Sequence, residues 1–248
     1  MTTRGTHARL LAHSTDKVKR RAKHDGGQGM AKQRLCADGC RASLDSCETP
    51  TATIRHAFRA FASENGPEER LNRVRLLRPL IARARETLRK RFESGGSMEA
   101  YLRHRARLAD SVVIGLLHVV SISSGIRDGS MVAPLAAVAV GSYGRRELAP
   151  SSDLDLLFLL PESSSSFTGA VAPATRMCIG AVVACLWDLG FALDHATRSV
   201  QECLAFAKDD PTVLAGLVDR RYLWGGQGLF TTLDVELGRF PPAPRPIR

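Results

Sequence analysis

Aromatic residues make up only 6% of the 248-residue chain. That scarcity argues against a surface that reads single-stranded nucleic acid by base stacking. No uninterrupted run of about 18 apolar residues is present to span a bilayer, and the most apolar helical stretch, Ser111 to Val120, is too short. The first 35 residues are rich in Arg and Lys and poor in acids, loosely like a transit peptide, but they lack the apolar core of a secretory signal. No internal repeat is visible. Of six cysteines, Cys36, Cys40 and Cys47 form no C-x2-C pair and have no accompanying His-x3–5-His, so no zinc site is expected. Cys178 and Cys185, seven apart in an apolar helical pattern, read as core thiols, and Cys203 completes the set. Nothing suggests a disulfide framework, which fits a reducing cytoplasm and no membrane partner.

Charge is abundant but uneven. The net charge is +10, and residues 1–110 hold 24 Lys and Arg against 12 Asp and Glu, while residues 111–248 hold 11 against 13. The arginines of 70–107 alternate with leucines at helical spacing, so a solvated helix face accounts for them, and nucleic acid is not expected as a partner. Residues 1–50 carry no hydrophobic period and read as a basic, disordered tail. Residues 51–125 read as a helical region. Within it Pro67 opens a helix that ends at Gly95-Gly96, and Ser97 caps the next, making a helical hairpin. Residues 126–240 alternate short apolar runs with helical patterns, and 241–248 form a Pro-rich end.

In that third region, strands are expected at Leu135 to Val140, at Asp153 to Leu160, and briefly at Phe191 to Leu193, emerging at Asp194. Ala174 to Leu189 reads as an apolar helix, with Trp187 in the core. Ser199 and Glu202 form a capping box, and Asp210-Pro211 opens a helix closing at Gly225-Gly226, which also buries Trp224. The fold class is therefore α/β (α+β), with a small mixed sheet flanked by helices.

The chemistry concentrates in VAVGSYGRRELAPSSDLDLLFLL, residues 138–160. Side chains alternate along a strand, so Asp153 and Asp155 share one face while Leu154, Leu156 and Phe158 pack the other. Carboxylates at the mouth of so apolar a strand need a cation or solvent. Two of them suit a two-metal site for in-line phosphoryl displacement. Gly141 lets backbone N–H groups approach a triphosphate, and Ser142 adds a hydroxyl, with Ser152 as a further contact. Arg145 has the fork geometry for phosphate oxygens. Asp153 and Asp155 would hold Mg²⁺, a hard cation. Asp194 is a candidate third carboxylate that aligns or deprotonates an attacking hydroxyl, or else caps the turn before Ala196. His195 reads as a structural hydrogen-bonding residue, Glu147 as a salt-bridge partner or helix cap, and Arg198 as a phosphate contact or the partner of an acid.

Strand, Gly-Ser turn, Asp-x-Asp strand, helix, and a strand bearing a third Asp resemble the polymerase-beta-like nucleotidyltransferase superfamily. More narrowly, GSYGRRELAPSSDLDLLFLL resembles the bacterial PII uridylyltransferase/uridylyl-removing family, whose pattern is close to GGYGRGEL-x-P-x-SD-[IL]-DLL. CLWDLGFALDHATRSVQECLAFAKDDPTVLAGLVDRRYLWG and RKRFESGGSMEAYLRHRARLADSVV extend the similarity to roughly residues 70–238. The resemblance implies transfer of UMP from UTP to a tyrosine of the PII signalling protein. It leaves open another nucleotide or acceptor, or a nucleotide- or PII-binding module without turnover. Ser142 and Arg146 stand where the family has glycine, and Asp194 where glycine often precedes the histidine. The family continues into a phosphohydrolase domain of HD type and two ACT sensor domains. Neither has a counterpart among these residues, so the chain reads as a truncated, N-terminal catalytic part without uridylyl-removing activity or glutamine response.

Overall fold

The computed structural model describes residues 49–61, 69–126, 135–164 and 171–239. The expected basic tail, the helix start at Pro67, the second half of the Ser-rich loop and the Pro-rich end lie outside the described residues. Three helices come first: α1 (Thr49–Phe61), α2 (Glu69–Glu93) and α3 (Met98–Ser123). The Ser97 hydroxyl accepts the Ala100 N–H at 3.1 Å, capping α3, and the Phe92 and Tyr101 rings stack 5.0 Å apart across the hairpin. At 26 residues α3 is long and apolar enough to cross a membrane, which the ten-residue apolar core alone did not suggest. In the fold 56% of that apolar window is buried, with Val112, Val113, Leu116 and Leu117 fully enclosed.

Four strands follow: β1 (Ala136–Ala139), β2 (Leu154–Leu160), β3 (Leu193–Ser199) and β4 (Arg221–Gly225). Their order is β3-β2-β1-β4; β1 pairs antiparallel with β2 and β4, and β2 runs parallel to β3. Between them lie α4 (Gly141–Gly144), α5 (Pro173–Asp188), α6 (Val200–Asp209) and α7 (Pro211–Val218), and α8 (Gln227–Gly238) closes the described chain. This is the mixed sheet flanked by helices that the sequence indicates. Leu154, Leu156, Phe158 and Leu160 join a core with the helices α1, α2, α3 and α5. Leu157 and Leu159 face the other way, into a smaller core with α6, α7 and α8. Each enclosed leucine contributes roughly 1.5–3 kcal/mol, so β2 is anchored from both sides.

Several expectations are corrected. The third strand does not end at Asp194; it starts at Leu193 and runs to the Ser199 capping box. Its later residues, His-Ala-Thr-Arg, sit on an edge strand exposed enough to tolerate polar side chains, so apolar-run logic stops too early. The helix from Pro211 ends at Val218 rather than Gly225. Strand β4 and helix α8 follow, so Trp224 is buried on a strand, not on a helix. Trp187 is 56% exposed and meets His195 edge-on at 6.2 Å, while Phe158 meets the same ring at 6.3 Å. Among the described residues the contacts of His195 are therefore with aromatic rings, not the structural hydrogen bond expected from sequence. The arginines of α2 are not simply a solvated face. Arg70 pairs with Asp188 at 3.0 Å, and Arg78 and Arg85 donate to the carbonyls of Asp188 and Gly190, at the negative end of the α5 dipole. The core-thiol reading of Cys178 and Cys185 holds: both are buried, which pushes each thiol up to about 11.

Candidate active site

Strand β1 delivers the chain to the carboxylates. The Val140 N–H donates to the Asp155 carbonyl at 3.1 Å, and the backbone then turns left-handed at Gly141, with φ of +59°. A Cβ at residue 141 would stand 2.9 Å from Asp155 Oδ2, so a side chain here would push the carboxylate away from the bend, and the left-handed φ also favours glycine. What sequence reading treats as a Gly-Ser turn is a single helical turn, α4, with Ser142 half-buried in it.

Asp155 occupies β2 directly opposite Asp194 on parallel β3, so both side chains leave the same face of the sheet on strands about 4.8 Å apart. Asp153 precedes β2 by one residue and shares the parity of Asp155. Asp155 is half-buried, while Asp153 and Asp194 are exposed. Burial first, then the charges of Asp194 and Asp153, hold the Asp155 carboxyl above the usual carboxylate range. This arrangement costs free energy in the absence of a positive partner and is what a cation site requires. Among the described residues no three His, Cys, Asp or Glu side chains converge as a complete metal cage. Mg²⁺ does not need one, because it commonly binds one or two carboxylates and takes its other oxygens from water and substrate phosphates. The all-oxygen donor pair Asp153 and Asp155 fits that ion.

The bend is held by a network absent from the sequence reading. The Arg221 guanidinium, on β4, makes a two-pronged pair with Asp110 of α3 at 2.9 and 3.0 Å. It also donates to the carbonyls of Gly144 and Tyr143, both at 3.1 Å. Tyr143 is fully enclosed beside this pair, and burial together with Asp110 drives its phenol well above the ordinary range, so it stays neutral. Gly144 is required by proximity: a Cβ there would come within 1.7 Å of the Asp219 carbonyl.

A model of the family described as "Putative nucleotidyltransferase DUF294" matches residues 82–202, a span running from α2 to the start of α6 and including all three carboxylates. Curated relatives agree. A bifunctional uridylyltransferase/uridylyl-removing enzyme of Azospirillum brasilense is 36% identical over 185 residues, covering 72% of this chain and 19% of the relative. Enzymes of the same name from Novosphingobium aromaticivorans and Gluconobacter oxydans are 35% and 34% identical, covering 75% and 80% of this chain and 20% of each relative. The matched segment is a nucleotidyltransferase domain. The chain spans about a fifth of the length of the curated relatives it matches.

Around this nucleotidyltransferase domain, the residues singled out from sequence separate into two groups. Gly141, Asp155 and Asp194 come together, with Asp153 at the same strand end. Ser142 sits in the adjoining turn. Arg145 is engaged elsewhere: it pairs with Asp219, and with Glu147 at 2.9 Å, so a phosphate would have to draw it from two carboxylates. That pairing fulfils the salt-bridge reading of Glu147. Arg198 lies over the Phe206 ring, 4.2 Å from its centroid. Ser152 lines a cavity on the Leu154 side of β2, away from Gly141.

Arg146 occupies a left-handed backbone, φ +63°, at the end of α4, with its N–H donating to the Tyr143 carbonyl at 3.1 Å. A left-handed conformation that glycine adopts readily is here imposed on an arginine. Replacing Arg146 with Gly is expected to raise stability by about 0.5–1 kcal/mol, the left-handed penalty less the extra chain entropy of glycine. Chemical denaturation of the two proteins measures it, and an unchanged or lowered midpoint would contradict the assignment.

Proposed function

We propose that the chain is a cytoplasmic uridylyltransferase, moving UMP from UTP to a tyrosine hydroxyl of a PII-type signalling protein. The observation that carries the reading is the Asp153, Asp155 and Asp194 group set against the left-handed Gly141 bend. UTP as donor rests on the uridylyltransferase relatives; PII as acceptor rests on the sequence resemblance. In this reading the N–H groups of the α4 turn and the Ser142 hydroxyl receive the triphosphate, and Asp153 and Asp155 carry Mg²⁺. When bound, that ion neutralises phosphate charge as the transition state forms. The tyrosine oxygen forms a bond to the α-phosphorus while the bond to pyrophosphate breaks. The phenolic proton passes to Asp194. Holding the reactants in line provides much of the acceleration.

Incubation of the purified chain with UTP labelled on the α-phosphate, Mg²⁺ and a PII protein tests it. Label is expected on a PII tyrosine, with none transferred from ATP labelled in the same way. Absence of label, or transfer from ATP alone, would overturn the proposal.

A further inference from the structure

On the opposite face of β2 from the carboxylates lies a cavity of about 180 Å³, walled by α2, α3, the 148–152 loop and the turn from α5 into β3. Two guanidiniums enter it from different helices, Arg85 from α2 and Arg105 from α3. Among the described residues no Asp or Glu lines the cavity and neither arginine forms an ion pair. Their partners are neutral. Arg105 donates to the carbonyls of Leu148, Ala149 and Pro150 at 3.1–3.2 Å, and Arg85 reaches the Gly190 carbonyl through two long contacts of 3.3 and 3.4 Å. Arg85 also lies over the Phe191 ring, 4.5 Å from its centroid.

Burial, and secondarily the neighbouring charge of Arg105, lower the Arg85 pKa. Elsewhere on α2 and α3 arginines find acids: Arg70 with Asp188, Arg89 with Glu86 and Glu93, Arg103 with Glu99. Among the described residues no carboxylate supplies the balancing negative charge here, and an anionic ligand would. Both guanidiniums line the same cavity, a guanidinium suits an oxyanion's oxygens, and the long Arg85 contacts to Gly190 are readily exchanged; Ser151 and Ser152 share the wall.

We propose that this cavity is a binding site for a compact oxyanion, a phosphate or carboxylate group, held between Arg85 and Arg105. The wall it shares with the carboxylate strand is the 148–152 loop, whose next residue is Asp153. The site stands independently of the uridylyl-transfer reading, because it lies across the sheet and uses none of the same side chains.

The test is a titration of the full 248-residue chain with inorganic phosphate, followed by the ³¹P line width and by the thermal unfolding midpoint. Saturable broadening and a rising midpoint are expected. Arg85→Gln keeps a donor for Gly190 but removes the charge, and should weaken binding on the order of tenfold or more. Asp153→Asn should leave binding intact. Unfolding of each free variant confirms that the fold survives, and Arg85→Lys, with one donor head instead of a fork, should fall between. Malonate in competition shows which oxyanion is preferred; displacement assigns carboxylate and its failure assigns phosphate, and either agrees with the site. No saturable binding of either anion would overturn the proposal. So would binding lost in Asp153→Asn and kept in Arg85→Gln.

Discussion

Asp155→Asn is expected to abolish nucleotidyl transfer and, in the same protein without divalent ions, to raise the unfolding midpoint. The two effects have one cause. Burial and two neighbouring acids hold the Asp155 carboxyl above its ordinary range, so its ionisation at neutral pH works against folding. Asparagine keeps the shape beside Gly141 and removes the charge. Turnover should fall by at least roughly 10²–10³-fold, the scale seen when a group stabilising developing charge is lost. Mg²⁺ should stabilise the parent and not the variant. A variant that kept full turnover, or that melted lower at every pH, would remove Asp155 from the site.

The pH dependence has a definite sign. A carboxyl whose folded pKa is raised retains its proton in the native state through a range where the unfolded chain has lost it. Native stability from this group is therefore greatest at low pH and declines as pH climbs through the folded pKa. The advantage of Asp155→Asn should accordingly be full at neutral pH and shrink to nothing below the ordinary carboxylate range. Protons and Mg²⁺ compete for the same oxygens, so the acid limb of activity should lie above that of an unperturbed aspartate. Melting curves from pH 3 to 8, with and without Mg²⁺, measure both trends.

What the sequence made legible follows from how local each signal is. Asp153 and Asp155 could be put on one strand face because period-two alternation needs no tertiary information, and the apolar Leu-Leu-Phe-Leu-Leu run identified the strand. Ser97 and the Ser199/Glu202 box were legible because caps are set by residues three apart. Asp194 could be named, but its alignment with Asp155 could not, since strand register is a long-range property. Strand β4 was missed because Arg-Tyr-Leu-Trp-Gly has only five residues and pairs at a sheet edge, where polar and apolar side chains mix. Arg221 went unnoticed with it. One signal was available: a short aromatic run closed by Gly225-Gly226 within the segment resembling the family. Arg85 and Arg105 looked like any arginines on a solvated helix, because nothing local says that two helices will bring them to one cavity.

Arg221→Met should cost about 3 kcal/mol, the lower part of the range for breaking a buried ion pair. Arg221 and Asp110 retain 18% and 15% side-chain exposure, which keeps the cost from the upper part. Methionine fills much of the space but leaves Asp110 charged and unpaired, and it strips donors from the Gly144 and Tyr143 carbonyls. Lysine should recover less than half of the loss, because one ammonium cannot span the acceptors that a guanidinium fork reaches. Adding Asp110→Leu to Arg221→Met removes the stranded carboxylate and should restore most of the stability. Activity should not return with it. The carbonyls of α4 would still lack the clamp that fixes Gly141 against Asp155, so the restored protein should turn over slowly with its thermal midpoint near that of the parent. Denaturation of the parent, Arg221→Met, Asp110→Leu alone and the double variant gives the coupling between residues 110 and 221. If activity recovered in step with stability, Arg221 would be a purely structural strut; if the two part, it positions the bend on which the carboxylates depend.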